Sequence, residues 1–441
     1  MSNALAEHSL RALCLLVVDC PHATPKWTDS GVVVLRNQNI KGGRLDLSSP
    51  SFTDEEHYQG RVRRAVPQGG DIVMTREAPM GDVCQIPQGL RCCVGQRQVL
   101  LRPDPTKVDG RFLLFALQSP YLQHQIGWNE GTGSTVSNLR IPVLEALRVP
   151  TPSLPDQLEI AATLGALDDR IALLRETNAT LEAIAQALFK SWFVDFDPVR
   201  AKQQGLAPAG MDEATAALFP DSFEESALGL VPKGWRVFRL GDVVSRITKG
   251  TTPTTLKRPF VHVGINFVKA ESMTDDGGFL PEKFAFIDAA THELLRRSQL
   301  ASGDVLISIA GTIGRTAVMT DDFLPANTNQ AVALIRPLPD VFPSGLIVRF
   351  LQRDDSRQLM GERVVQAVQA NLSLGTLSDL LVVLPPPNVT RRLYEAIVCQ
   401  VDAKRALNQQ RARTLTTLRD TLLPRLISGQ LRLPEAAALA V

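Results

Sequence analysis

The sequence predicts an α+β protein in which two similar mixed α/β domains are separated by a pair of long helices forming an antiparallel coiled coil, with a pseudo-two-fold internal repeat. Three observations predict it. The chain repeats itself at about 234 residues. Inside each repeat, short β-branched runs alternate with turn residues. Each repeat closes on a long heptad-patterned segment.

The repeat rests on several landmarks. Gly70-Asp71-Ile72-Val73 recurs as Gly303-Asp304-Val305-Leu306, and the run Gly95 to Pro103 recurs as Asn329 to Pro337. Phe112 to Leu117 matches Leu346 to Leu351, Leu147 to Pro152 matches Leu381 to Pro386, and Asp168 matches Asp402. Near the start the spacing loosens: Thr24-Pro25 against Thr252-Pro253 is offset by 228, which predicts an insertion or deletion. A period this long means a duplicated domain and not a solenoid. Runs such as Gly31 to Leu35, Asp71 to Met74, Asp304 to Ile309 and Ala331 to Ile335 read as strands, with helices over Phe112 to His124 and Leu346 to Met360.

The first long helix begins at Asp156, an N-cap residue with Glu159 three positions on, and ends by Pro198. Ile160, Leu164, Leu167, Ile171, Leu174, Leu181, Ile184 and Leu188 form its apolar seam. About 40 residues at 1.5 Å each make a rod of roughly 60 Å. The second starts near Thr390 and breaks at Pro424, with a seam at Leu393, Ile397, Val401, Lys404, Leu407, Leu415, Leu418 and Leu422. Residues 156–197 hold eight acidic and three basic side chains; residues 390–430 hold eight basic and three acidic. Opposite charge on two apolar-seamed helices favours their pairing over the alternative, each helix packing on its own domain.

These signals divide the chain into a first domain (1–152), a first helix (153–198), a linker (199–231), a second domain (232–387), a second helix (388–430) and a tail (431–441). Composition narrows the function. With 5 % aromatic residues the chain is a poor base-stacking single-strand binder. Net charge is +1, so a DNA role needs local basic patches or a partner that supplies charge. No CxxC pair exists among six cysteines, which excludes an ordinary zinc ribbon, and Cys20-Pro21-His22 reads as structural. Sparse cysteines point to a reducing cytoplasm. No 18-residue apolar run is present, and Leu10 to Val18 lacks the flanks of a signal peptide.

Several motifs, taken in order, resemble the specificity subunit of type I restriction–modification systems. Gly234-Trp235-Arg236-Val237-Phe238-Arg239-Leu240-Gly241-Asp242-Val243 followed by Lys249-Gly250-Thr251-Thr252-Pro253 is similar to the opening of a target recognition domain. Asp19 to His22 with Thr24-Pro25, then Val34 to Ile40, resembles one subtype of the first domain's opening. Pro152-x-x-Pro155-x-Gln157-x-x-Ile160-Ala161 with Leu167-Asp168-x-x-Ile171 resembles the start of the family's first conserved helix, and Leu188-Phe189-x-x-Trp192-Phe193-x-x-Phe196 its end. Leu422-Leu423-Pro424-Arg425-Leu426-Ile427-Ser428-Gly429 resembles the end of the second. The likeness spans nearly the whole chain. It departs at the first domain, which has His8 to Leu13 in place of Trp-x-x-x-x-Leu-Gly-Asp, and at Pro387-Asn388-Val389-Thr390, which replaces Pro-x-x-Glu-Gln.

That resemblance implies a non-catalytic subunit that binds double-stranded DNA, each domain reading one half of a split, asymmetric target. The helices would set the spacer, one DNA turn being about 34–36 Å, and would dock two methyltransferase subunits joined by restriction (translocase and nuclease) subunits. It also implies that this chain binds no cofactor; S-adenosylmethionine would sit on the partner. The residues agree with a chain that lacks its own chemistry. There is no Asn/Asp-Pro-Pro-aromatic motif, no GxGxxG and no GxxxxGK[ST]. Asp402-Ala403-Lys404, on the second helix, is the sole acid-x-Lys and reads as a solvated or cross-helix charge pair; Ser308 has no histidine nearby in sequence. Two rivals stand: a self-contained DNA methyltransferase or nuclease, and a coiled-coil scaffold that binds proteins only.

Base readout calls for Arg, Lys, Asn or Gln at groove edges. Candidates in the first domain are Arg36, Asn37, Gln38, Asn39, Arg61, Arg63, Arg64, Arg76 and Arg97; in the second, Lys257, Arg258, Lys269, Arg296, Arg297 and Arg315. Arg102 and Arg336 recur in both repeats and read as structural at strand ends.

Overall fold

A computed structural model describes residues 5–127, 138–365 and 371–432. It forms two compact units, Met1–Leu173 with Arg411–Val441 and Leu174–Gln410.

The recurring strands of the first unit are β1 (Glu7–Ser9), β2 (Cys14–Asp19), β3 (Val32–Leu35), β4 (Ser51–Thr53), β5 (Ile72–Thr75), β6 (Val83–Gln85), β7 (Cys92–Val94), β8 (Gln98–Pro103) and β9 (Arg148–Pro150); a short hairpin of Ile40–Lys41 and Arg44–Leu45 has no counterpart strand pair among the described residues of the second. Their counterparts in the second are β10 (Arg236–Arg239), β11 (Val244–Lys249), β12 (Ile265–Val268), β13 (Ala285–Ile287), β14 (Val305–Ser308), β15 (Thr316–Val318), β16 (Ala326–Thr328), β17 (Val332–Pro337) and β18 (Leu381–Leu384). An antiparallel sheet of order β2-β8-β5-β6 recurs as β11-β17-β14-β15. A three-stranded sheet β4-β3-β7, parallel between β3 and β7, recurs as β13-β12-β16. The pair β1-β9 recurs as β10-β18.

Both faces of each four-stranded sheet are covered, which is why its strands read as continuous apolar runs. In the first unit, Ile72, Met74, Val99 and Leu101 share a core with Phe112 and Leu113 of α1 (Gly110–Gln118), while Val73, Cys84 and Leu100 pack with Leu35 and Cys92 of the smaller sheet. In the second, Val305, Ile307 and Ile335 lie with α3 (Ser344–Gln352), and Leu306 and Leu334 with Val268 and Ala326. Asp109 caps α1 by accepting from the Phe112 amide at 2.8 Å.

The repeated Gly-Asp turn has a mechanical role. Gly70 and Gly303 take positive φ angles of 93° and 83°, open to glycine without strain. The next aspartate accepts from a turn amide and from an arginine on the neighbouring strand of the sheet: Arg102 Nε and Nη2 each reach Asp71 at 2.8 Å, and Arg336 reaches Asp304 at 2.8 and 2.7 Å. Arg102 and Arg336 are therefore structural staples.

At its start, the first domain uses His8 to Leu13 in place of the tryptophan-led opening. The Leu10 amide donates to Leu147 O at 2.8 Å, as the Leu240 amide does to Leu380 O at 2.8 Å, and both leucines are fully buried. The loosened offset is an insertion in the second domain: seven positions separate Pro253 from Phe260, but two separate Pro25 from Trp27. The linker at 199–231 is folded. It carries the helices Asp197–Gln203 and Glu213–Ala216 and a strand pair, Phe223–Ser226 with Gly229–Pro232. Trp192, Phe219 and Trp235 pack edge-to-face and tilted among its residues.

Long helix α2 spans Leu154–Phe193, ending before Pro198; α4 spans Cys399–Ile427 and contains Pro424 without breaking. Ahead of α4 come the helix Pro387–Leu393 and a π-turn, Tyr394–Val398. Gln157 bonds the backbone at Lys107, Asp109 and Pro152; the Thr390 hydroxyl bonds Pro385 O at 3.1 Å, which is how the second helix starts without the glutamine.

α2 packs on α4, and cross-helix ion pairs follow the predicted charge contrast. In the first unit, Arg419 Nη1 lies 2.7 Å from Asp168 Oδ1, and Ile160 and Leu164 share a core with Leu422 and Leu426. In the second, Asn178 meets Asn408 and Glu182 meets Arg405 at 2.5 Å, so partner numbers rise on one helix as they fall on the other. Two details of the seam differ from the heptad reading. Ile184 and Leu407 are 46 % and 40 % exposed, and Ala185 and Asn408 lie buried beside them. Lys404 is exposed too, with Arg405 turned to the partner helix. Leu167, Leu181, Leu188, Val401, Leu415 and Leu418 are half-buried; Ile171, Leu174, Leu393 and Leu422 are buried; the Ile397 side chain lies outside the described residues, as does the tail from 433. A straight helix drifts by roughly 20° per heptad against a 3.5-residue repeat, and the π-turn adds one residue to the second seam.

Candidate nucleic-acid interface

Polar side chains gather at one loop cluster of the first domain. The strand β3 delivers Arg36 into a short turn, whose amide donates to Asn39 Oδ1 at 2.9 Å. Asn37 Nδ2 donates to Glu77 O at 2.6 Å, in the β5–β6 hairpin, and its Oδ1 accepts from Gln98 Nε2 at 3.2 Å. Arg97, left-handed at φ 64°, pairs with Glu77 at 3.2 Å. Asn37 and Arg97 are thus drawn together through Glu77, with Arg36 and Gln38 on either side of Asn37 in the same turn. Gln96 Nε2 joins them, donating to Thr24 Oγ1 at 3.1 Å.

Three of the expected readers point inward. Asn39 is buried and holds Asp46 O. Arg61 is buried and donates to the carbonyls of Val94, Ala23 and Pro21. Arg76 is buried, paired with Asp19 and donating to Leu139 O at 2.8 Å. A guanidinium so tied supports backbone and offers no groove contact, so the structure corrects these three to structural roles. Arg63 and Arg64 are exposed, Arg64 resting on Asp19 O at 3.3 Å.

In the second domain, Lys257 and Arg258 are exposed and lie within its insertion, Lys257 at φ 55°. Arg296 and Arg297 are exposed and stand 233 positions after Arg63 and Arg64, each pair following a short helix capped by an aspartate. Arg315 is half-buried and clamped by Asp275 at 2.6 and 3.2 Å. Lys269 pairs with Glu271 at 2.8 Å. The Thr24–Gln96 tie recurs as Thr252 with Gln330.

Residue-by-residue reading missed Trp27 and Phe260. Arg36 sits 5.1 Å from the Trp27 ring centroid and Lys269 6.0 Å from that of Phe260. Aligning the two repeats at an offset of 233 was the signal that finds them. Asp402 and Lys404, expected as a solvated or cross-helix charge pair, part company: Asp402 accepts from Arg349 of α3 at 2.7 and 3.1 Å and from the Tyr394 hydroxyl at 3.2 Å, and Lys404 stays exposed. Among the described residues no group of three or more His, Cys, Asp or Glu could hold a metal ion, and no helix is long and apolar enough to cross a membrane.

The chain is similar to the Type I restriction enzyme HindI specificity subunit of Haemophilus influenzae, with 26% identity over 413 residues, 84% of this chain and 88% of that protein. It is also similar to the Type I restriction enzyme MjaIX specificity subunit of Methanocaldococcus jannaschii, with 24% identity over 83% of this chain and 78% of that one. A solved type I restriction-modification system S subunit from M. genitalium aligns over 97% of each chain at 18% identity and a TM-score of 0.49. The profile of the Type I restriction modification DNA specificity domain matches twice, over residues 28–183 and 232–420, once for each half of the repeat. The chain therefore belongs to the type I restriction-modification DNA specificity family.

Proposed function

We propose that this chain supplies sequence specificity, and no chemistry, to a type I restriction–modification complex. Each domain reads one half of a bipartite, asymmetric double-stranded DNA target. The paired helices set the spacer and dock two methyltransferase subunits, which carry S-adenosylmethionine; restriction subunits join them in the cytoplasm. This chain binds no cofactor. The carrying observation is the duplicated domain, the same three sheets in the same order twice, each half matched by a DNA specificity profile. Near-zero net charge fits a subunit whose partners share phosphate neutralisation.

The test is to map methylated adenines in cells that carry this chain with its methyltransferase, then exchange residues 232–387 for the matching domain of a relative with a different target. One half of the methylated motif changes and the other half stays. A change in both halves, or in neither, overturns the reading. Binding of S-adenosylmethionine by the isolated chain would favour the self-contained enzyme instead.

A further inference from the structure

Exposed aromatic rings are few. Among the described residues the large ones are Trp27 (46 % exposed), Phe260 (37 %) and Tyr121. The Tyr121 hydroxyl donates to Glu7 at 2.6 Å, which accounts for it. Trp27 and Phe260 occupy the same place in the two domains. Each comes just before the first strand of its three-stranded sheet, and each lies next to a residue that bridges that sheet's antiparallel edge: Thr28 to Phe52, and Val261 to Phe286. Each has a cation over its ring from the position just after that strand, Arg36 after β3 and Lys269 after β12. Both cations open a short turn capped by a side chain, from Asn39 and from Ser272. Single exposed rings are ordinary; the same ring–cation pair at the same register in both repeats is not scatter.

We infer that Trp27–Arg36 and Phe260–Lys269 are matched DNA-backbone contacts, in which the cation takes a phosphate and the ring packs beside it on the sugar. This rests on the reading that the two domains recognise different half-sites. Two domains that read different bases share only what their two half-sites share, and that is the sugar–phosphate backbone. A surface feature kept in both, and not spent on the fold as the Asp–Arg staples are, is therefore fitted to the backbone. Features that differ, such as the insertion bearing Lys257 and Arg258, are free to read bases. The ring orients the cation by its quadrupole. Arg36 has one weak side-chain tie, to Ser51 at 3.4 Å, and Lys269 rests on exposed Glu271; a phosphate replaces both.

The test uses the full chain assembled with its methyltransferase subunits, and three duplexes: the methylated motif, and the motif with either half scrambled. Each neutralised phosphate contributes about 0.9 to the salt slope of log K, or roughly eightfold in affinity at 0.1 M salt. Arg36→Gln and Lys269→Gln each lower the slope by about 0.9 and weaken all three duplexes by a similar factor. The preference for the intact motif is kept. Trp27→Ala weakens all three less, and Trp27→Phe restores binding. An unchanged slope, or a loss confined to the duplexes that keep the mutated domain's own half-site, overturns the inference while leaving the specificity reading in place. A wild-type complex that binds all three duplexes equally overturns the specificity reading itself, and the shared-backbone argument with it. Thermal melts unchanged from wild type show that the variants are folded.

Discussion

The Asn408 side-chain amide donates to Asn178 Oδ1 at 2.9 Å in the buried seam between α2 and α4, and Asn178 Nδ2 donates in turn to Arg405 O at 3.1 Å. Both are buried where an apolar pair would otherwise sit. A buried polar pair of this kind specifies register, because sliding either helix by one position strands both amides without partners. Asn408→Ala is expected to cost about 1–3 kcal/mol by leaving Asn178 underpartnered. Replacing both with leucine is expected to raise the melting temperature and to broaden the range of spacer lengths methylated. Thermal melts and methylation mapping check the two halves of this prediction; a double-leucine chain with the wild-type spacer would place register control elsewhere.

Arg349 is 1 % exposed and bridges Asp402 at 2.7 Å and Glu182 at 3.1 Å, tying α3 to both long helices in the second unit. Gly345 permits this approach, since a Cβ there would stand 2.1 Å from Asp402 Oδ2. Arg349→Met leaves two carboxylates facing each other with less compensation and is expected to cost about 3–5 kcal/mol. Exposed Arg391, paired with Asp340 and Glu395, is the control: Arg391→Ala leaves the midpoint close to wild type, because a solvated surface pair is screened. Urea unfolding midpoints measure both. Equal midpoints would mean that the Arg349 network adds nothing beyond a surface pair.

The two Asp–Arg staples form a natural duplicate experiment. Asp71→Asn and Asp304→Asn keep shape but remove the charge that each arginine grips, in near-identical geometry. Each is expected to cost about 2–3 kcal/mol, and the double variant should show the sum, because the sites share no partner. A large difference between the two single variants would show that the duplicated domains no longer use the staple alike.

Burial separates the cysteines. Cys14, Cys20, Cys84, Cys92 and Cys93 are buried, and desolvation raises each thiol, pushing those of Cys14, Cys84 and Cys92 up to about 12. A raised value keeps the thiol protonated at pH 8, and the thiol is not the nucleophile. A thiol reagent at pH 8 is expected to modify half-exposed Cys399 alone in the folded chain, and all six after denaturation. Rapid modification of two or more thiols in the native state would contradict this packing.

Much of the fold was legible because duplication repeats chemistry at a constant offset. Gly70-Asp71 with Arg102, and Gly303-Asp304 with Arg336, mark the same turn twice, and local turn chemistry depends on neighbours in sequence. The two long helices and their opposite charge were legible for the same reason, since heptads and caps are local signals. The phase of the seam beyond Asn178 was not. Helical drift, a π-turn and a buried amide pair decide whether Ile184 or Ala185 faces the partner, and these appear only when two helices meet. Nor could sequence separate the outward arginines from the inward ones. Arg61 and Arg63 are alike as letters, but the carbonyls of Val94, Ala23 and Pro21 reach Arg61 from distant segments, and burial forces its donors onto them. The sequence by itself determined a duplicated α+β chain with two pairing helices and no catalytic motif. Which cations remain free to meet a phosphate was decided by tertiary structure, because a charge's partners are set by what folds against it and not by what precedes it in the chain.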